Sequence, residues 1–205
     1  VFSTINGDSN VAFYRQLAAA GLSPSNWPVL ATSVGETELA TIGEAARGHL
    51  ACWGYFQTQK TEANRKFLAA YRARFGSDRS TSDPIAAAHS QVHLWAEAVR
   101  KAGSFAPAEV AKAAPGCRLT GPLGELCIRP NHHVTRSAMI GRVGPDGQLH
   151  VVWASAHSFE PLPWLGIERA GLINEPVVRE ALAAWPEVEA DARLDRHRSA
   201  EALRE

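Results

Sequence analysis

Hydrophobic and polar positions fall into alternating blocks along the first eighty residues. Short apolar runs at residues 1–5, 29–32 and 49–56 are separated by stretches in which apolar residues recur every three or four positions. Short apolar runs bounded by turn residues predict strands, and the three-to-four spacing predicts amphipathic helices. The first strand runs into Asn6-Gly7-Asp8-Ser9, a turn in which Asp8 or Ser9 can cap a helix that carries Phe13 and Leu17 and stops near Gly21. After the second strand, Ser33-Val34-Gly35-Glu36 has the spacing of a capping box, with Ser33 as N-cap and Glu36 three residues on, and it opens a helix bearing Leu39 and Ile42. After the third strand, a helix from near Thr61 places Phe67, Leu68, Tyr71 and Phe75 on one stripe, and Gly76 ends it. This order predicts an α/β fold, with helices packed on a parallel sheet and the C-terminal ends of the strands on one rim.

The pattern changes at Ser82-Asp83-Pro84, where Asp83 as N-cap and Pro84 as first helical residue make a strong start signal. Ile85, Ala88, Val92, Trp95 and Val99 recur at helical steps from there, and the helix ends before Gly103. A shorter helix follows Pro107. Residues 117–130 read as loop with one short strand around 126–128. Residues 137–143 and 148–155 flank Gly144-Pro145-Asp146-Gly147 and predict a hairpin. From about residue 175 the chain is rich in Ala, Glu and Arg and reads as mostly helical, with a highly charged end at 195–205 expected to fray.

Charge alters this picture little. The 21 basic and 21 acidic residues of the 205 balance, so nothing points to nucleic acid, and no apolar run approaches a membrane span. The chain opens at Val1 on what reads as a strand already under way, which leads us to expect residues before it. The three cysteines, Cys52, Cys117 and Cys127, are not a disulfide framework. Cys117 and Cys127 flank a Gly/Pro loop and are read either as a pair or as free buried thiols.

Candidate chemistry concentrates in two loops. Asn6, Gly7, Asp8 and Ser9 follow the first strand; Thr32, Ser33 and Glu36 follow the second. Both occupy the rim where open α/β sheets bind ligands, and both combine helix N-termini with short hydroxyl and amide side chains. Such a set suits a small neutral polar ligand, although the same residues also serve as ordinary caps and turns. No Gly-rich loop with a following Lys suggests phosphate. Trp53, Tyr55 and Phe56 read as core, with Trp53 or Tyr55 alternatively walling a pocket at the rim. His89 and His93 share a helix face with Glu97 a turn further on, a spacing able to hold a metal, but His-Ser-Gln-Val-His lacks the internal Glu of a zinc protease. His132-His133, being adjacent, reads as structural. No nucleophile elbow and no evidently activated cysteine occur.

At these loops the chain resembles a known family. Residues 2–14, from Phe2-Ser3-Thr4-Ile5-Asn6-Gly7-Asp8-Ser9 to Phe13-Tyr14, resemble the second-lobe segment of urea and short-chain-amide binding proteins, within the branched-chain-amino-acid class of type I periplasmic binding proteins. Thr32-Ser33 with Glu36-Thr37-Glu38-Leu39, Gly48-His49 through Tyr55-Phe56, Thr81-Ser82-Asp83-Pro84 with Val92-His93-Leu94-Trp95, Gly121-Pro122 and Asn131-His132-His133 extend the likeness over about residues 1–165. The resemblance implies one lobe of a two-lobed Venus-flytrap fold with the first lobe largely missing. It assigns residues 1–80 to lobe two, 81–133 to a return to lobe one, 134–165 to the crossing back, and 166–205 to a tail. The family's ligand contacts would fall on the Asn6 turn and the Thr32-Ser33 loop, with no cofactor.

Three functions are open at this point. The first is a non-enzymatic substrate-binding component of an ABC transporter in the periplasm, capturing urea, an amide or an amino acid by lobe closure, with a permease as partner. The second is a cytoplasmic amide sensor of the same fold that holds a regulator protein. The third is a metal-dependent hydrolase built on His89, His93 and Glu97.

Overall fold

In the computed structural model, residues 1–162 are described, and Val1–Pro161 form one compact unit. The expectations for residues 166–205 lie outside the described residues. The chain begins with β1 (Phe2–Ser3), α1 (Ser9–Ala19), β2 (Leu30–Ala31), α2 (Glu36–Ile42), a 3-10 turn at Gly43–Ala46, β3 (Leu50–Trp53) and α3 (Glu62–Phe75). There follow α4 (Asp83–Ala102), α5 (Pro107–Ala113), the hairpin β4 (Arg118–Gly121) and β5 (Gly124–Cys127), and the hairpin β6 (Met139–Val143) and β7 (Leu149–Ala154).

The main sheet has the order β1-β2-β3-β6-β7. The first three strands are parallel, with Ser3 beside Ala31 and Ala31 beside Ala51, as the alternation of strands and helices predicts. β6 then pairs antiparallel with β3, and β7 with β6, so the predicted hairpin extends the sheet and makes it mixed. The register shifts between Ile140 and Gly141. A Cβ on Gly141 would lie 3.0 Å from the Phe56 ring and 3.2 Å from the Leu149 Cβ, so the strand can pass Phe56 only because this residue has no side chain.

The core is divided. One cluster lies on the main sheet and contains Tyr14, Val29, Ala31, Val34, Leu39, Ile42, Phe56 and Leu149. A second joins Tyr55 and Phe67 to Ala86, Leu94, Leu123 and Leu126, and a third joins Ala98, Val110 and Cys117. Residues 54–57 link the first two: Phe56 belongs to the sheet cluster and its neighbour Tyr55 to the second.

Several elements differ from the sequence reading. α4 starts one residue earlier than expected, with Ser82 in the N-cap position; Asp83 is the first helical residue, and its carboxylate pairs with Arg136 instead of capping. The buried stripe of α4 is Ala86, Ser90, Leu94 and Ala98, not the line of larger residues read from the sequence. Small side chains let the neighbouring elements approach closely, and Val92 and Trp95 remain 62% and 50% exposed. The segment taken as loop with one strand is a two-stranded hairpin whose turn passes through Gly124 at φ 82°.

Cys117 and Cys127 are both free and buried. Arg118 stands opposite Cys127 in the hairpin, so Cys117, one position earlier, points to the other face. That alternation answers the pairing question left open by the sequence.

Candidate functional site

The C-terminal ends of β1, β2 and β3 form one rim, and the first two loops of that rim are tied together at one atom. The carbonyl oxygen of Ile5, two residues beyond β1, accepts a 2.8 Å hydrogen bond from Asn10 Nδ2 and a second one from the Ser33 hydroxyl. Asn10 lies in the first turn of α1 and is fully buried. Two donors, one from the first turn of α1 and one from the loop after β2, therefore converge on a half-buried carbonyl. The Asn6–Ser9 turn projects from this knot. Gly7 sits at φ 62°, a conformation that favours glycine, and its carbonyl accepts from Asn10 N at 3.0 Å. Thr32 extends the tie on the inner side: its N–H and its hydroxyl both donate to Ser3 O, at 3.1 and 3.4 Å.

Of the residues picked from the sequence, Asn6, Gly7, Asp8 and Ser9 are exposed, and Thr32 and Ser33 are half-buried beside them. Glu36 is not on that exposed surface. It is only 3% exposed, and its Oε1 accepts from Gln57 N at 2.6 Å. The expected capping box is also displaced. Gly35 is the N-cap, and Glu38, not Glu36, reaches back to accept its N–H at 2.8 Å. Ser33 cannot cap because its hydroxyl is already engaged with Ile5 O. Likewise, neither Asp8 nor Ser9 caps α1 through its side chain: Asp8 holds the N-cap position without a side-chain hydrogen bond.

The aromatic residues at and after the end of β3 take different places, because the strand read from the sequence as reaching Phe56 ends at Trp53. Trp53 is half-buried and donates through Nε1 to Val34 O at 2.8 Å, which fixes the second loop against β3. Tyr55 is fully buried and does not wall the rim. Its hydroxyl donates to Asn64 Oδ1 at 2.8 Å and meets Thr81 Oγ1 at 2.9 Å, and burial raises its pKa. Asn64 in turn donates to Gln57 O and Gln59 O at 2.9 and 2.7 Å. The Gln57 side chain accepts from Thr81 N at 3.1 Å and donates to Gln148.

This network, with Asp83 and Arg136, was not picked out from the sequence. Its members are single polar residues separated by up to 91 positions, as Gln57 and Gln148 are. The one local signal was Asn10, a polar residue four before Tyr14 on the inward face of α1. Arg136 Nη2 donates to Asp83 Oδ2 at 2.6 Å across the passage between Gly54 and Ser137.

The histidines do not assemble a centre. His89 and His93 are exposed, their ring centroids 4.5 Å apart, and Glu97 pairs with Arg100. Among the described residues no group of three or more His, Cys, Asp or Glu is placed to hold a metal. No helix among them is long and apolar enough to cross a membrane. Away from the rim, α4, α5 and the β4–β5 hairpin enclose an open apolar groove of about 700 Å³, lined by Leu94, Trp95, Phe105, Val110, Leu126 and Ile128 among others.

The main sheet is mixed, with three parallel strands whose C-terminal ends form the rim and an antiparallel hairpin extending it. Residues 1–170 match the periplasmic binding protein domain family, and the chain belongs to it. It is similar to the Leu/Ile/Val-binding protein homolog 6 of Brucella melitensis, with 25% identity over 142 residues, 67% of this chain and 36% of that protein. It is also 30% identical over 118 residues to a Geobacillus stearothermophilus protein named limonene hydroxylase, 58% of this chain but only 21% of that one. Among solved structures it resembles an ABC-transporter solute-binding protein from Rhodopseudomonas palustris BisB5 in complex with 3,4-dihydroxybenzoic acid. The TM-score is 0.68 at 24% identity, covering 78% of this chain and 46% of that one. The chain thus spans less than half the length of the relatives it matches. The family and its structural neighbours are binding proteins for small ligands. The likeness to a urea and amide subgroup is not among these matches.

Proposed function

We propose that this chain is a portion of the substrate-binding component of an ABC transporter, carrying lobe-two residues and a segment of lobe one, and that the component captures urea, a short amide or a related small polar solute by lobe closure. The observation that carries the reading is the knotted rim. Asn10 and Ser33 hold the two loops at Ile5 O, so that Asn6, Gly7, Asp8, Ser9, Thr32 and Ser33 present amide, hydroxyl and backbone groups from a fixed base. Preorganised polar groups lose little entropy when they bind, which suits a ligand with few atoms. The one charged side chain in that set is Asp8, which is acidic, and this favours a neutral or N–H-rich solute over a carboxylate.

In this reading residues 1–80 belong to lobe two, 81–133 to lobe one, and 134–165 cross back. The apolar groove on α4 and α5, with Trp95 and Phe105 50% and 77% exposed, is then the face that the remainder of lobe one covers. Binding shifts the protein to its closed state in proportion to the ligand's preference for that state. The site of action is the periplasm and the partner a transporter permease.

The test is a thermal-shift screen of the intact protein with urea, formamide, acetamide, leucine and benzoate. A rise in melting temperature with urea or an amide, and none with benzoate, is expected. Stabilisation by benzoate alone contradicts the neutral-solute reading, and no shift with any member contradicts capture of this class of solute.

A further inference from the structure

Two helix N-termini meet beside the rim, and each begins with a buried acid. Gly35, the N-cap of α2, lies so close to Ser82, the N-cap of α4, that a Cβ on Gly35 would stand 3.4 Å from the Ser82 Cβ. The first residues of the two helices are Glu36 and Asp83, 3% and 6% exposed. Arg136, from the chain re-entering the sheet before β6, donates to Asp83 at 2.6 Å. Glu36 receives the Gln57 N–H on Oε1, and its Oε2 has no hydrogen-bond partner. The other groups facing this acid are Glu38 on its own helix and Tyr55 from the connection after β3, neither of them cationic. Two buried carboxyl groups thus begin neighbouring helices whose N-caps touch, near enough for Asp83 to act on Glu36 electrostatically, and the one guanidinium there is committed to Asp83. Like charges in such a setting do not both ionise freely, and the group without a cation is the one that keeps its proton.

We propose that Glu36 is a proton-operated latch on the seam between α2 and α4. Protonated, it lets the two N-termini close on each other; ionised, it repels Asp83 and loosens the passage where the chain leaves and re-enters the main sheet. A neutral carboxyl also supplies the O–H that the orphan Oε2 otherwise lacks, giving it a donor toward its acidic neighbours. Burial, opposed by the Gln57 N–H and reinforced by Asp83 and Glu38, pushes Glu36 from 4.5 up to about 7. The folded-state value lies above the unfolded one, so the latch's contribution to stability is complete below about pH 4.5 and is lost as the pH rises through about 7. The seam joins residues 1–80 to 81–133. If the lobe assignment above holds, solute capture inherits this pH dependence; the latch itself stands without that assignment.

The test compares the whole chain with Glu36→Gln, which keeps the acceptor for Gln57 N and mimics the protonated acid. Thermal unfolding is followed from about pH 5 to about pH 8. The unfolding equilibrium of the wild type should move relative to the variant by up to about tenfold per pH unit, the effect of one proton, with the wild type weakening as pH rises. Parallel pH profiles would overturn the proposal. Groups such as His49 titrate in both proteins and cancel in the comparison. Should the variant not fold, carbon-13 NMR of the Glu carboxyl carbons in the wild type reads the same property, with Asp83→Asn as a second protein. A Glu36 midpoint near neutrality that falls in Asp83→Asn supports the latch, whereas a midpoint below about pH 5, or one unmoved by the loss of Asp83, refutes it. Neither readout depends on solute binding, so failure of the latch is distinguishable from failure of the proposed function.

Discussion

Asn10 and Ser33, 23 residues apart on different loops, donate to the same acceptor, the carbonyl oxygen of Ile5. This shared acceptor sets the spacing of the rim: the first loop cannot move away from the second without leaving a half-buried carbonyl short of a donor. Asn10 contributes from the first turn of a helix and is wholly buried, so it acts as a fixed post and not as a ligand contact.

The first prediction concerns this knot. Asn10→Ala removes one donor from a half-buried acceptor and should cost about 0.5–1.5 kcal/mol in thermal unfolding. Because Ser33 shares the acceptor, the Asn10→Ala and Ser33→Ala effects should fail to add, with a coupling of roughly 0.5 kcal/mol or more in a double-mutant cycle. Strict additivity would show that the two side chains act independently.

A second prediction follows from Gly54. A Cβ there would lie 2.5 Å from Arg136 Nη2 and 2.9 Å from Ser137 O. Gly54→Ala should therefore push the guanidinium off Asp83 and leave a buried carboxylate without its cation, destabilising the chain by about 1–3 kcal/mol. Arg136→Met should lose stability on the same scale with Gly54 intact. Chemical denaturation of both variants checks this, and a neutral Gly54→Ala would show that the passage has room to spare.

A third prediction is a pH effect of opposite sign to that of Glu36. His49 is buried, and its Nδ1 accepts the Val29 N–H at 3.1 Å, so the ring is held neutral. Burial, with the nearby amino terminus adding to it, lowers its pKa. The folded value lies below the unfolded one, so the associated stability is present above about pH 6.5 and is lost on acidification. Proton NMR of the His49 ring should show a titration midpoint below the ordinary histidine value of about 6.5. A midpoint at or above the ordinary histidine value would mean that the Val29 contact is absent in solution.

Much of the fold was legible in the residues, and the reasons differ from element to element. The three parallel strands and their helices followed from local periodicity and from caps such as Thr61, whose side chain accepts Asn64 N at 3.2 Å. Gly103 ended α4 as expected, in a left-handed cap at φ 63°. The buried face of α4 was missed because close packing selected Ala86, Ser90 and Ala98, whereas a periodicity reading weights large residues such as Val92 and Trp95. The strand Arg118–Gly121 was missed because it alternates a charged and a polar residue with one leucine and lies at the edge of a small hairpin.

The candidate site was half legible. Loop position and side-chain type pointed to Asn6 and Thr32, since strand-to-helix turns lie at the rim in any parallel sheet. The depth of Glu36 was hidden, because an acid at a helix start looks like an exposed cap until the packing of Gly35 against Ser82 is known. The Gln57 network was hidden for a simpler reason: its contacts span 21 to 91 residues and leave no spacing to read.

A fourth prediction separates the histidines from the rim. His89→Ala should leave solute affinity and the response to chelators unchanged, because its ring stacks on Phe67 and His93 with centroids 4.9 and 4.5 Å away, on α3 and α4 and away from the strand ends. A large loss of affinity in calorimetry would bring a metal-dependent role back into consideration.

Solute contact at the rim is tested most directly by calorimetric titration of the intact protein with urea and acetamide. Asn6→Ala combined with Thr32→Ala removes an exposed amide and a half-buried hydroxyl while leaving the Asn10–Ile5–Ser33 knot in place. Affinity should fall by roughly tenfold or more, corresponding to about 1.4 kcal/mol, with the melting temperature of the unliganded protein nearly unchanged. Unchanged affinity in the double variant would contradict the assignment of the site.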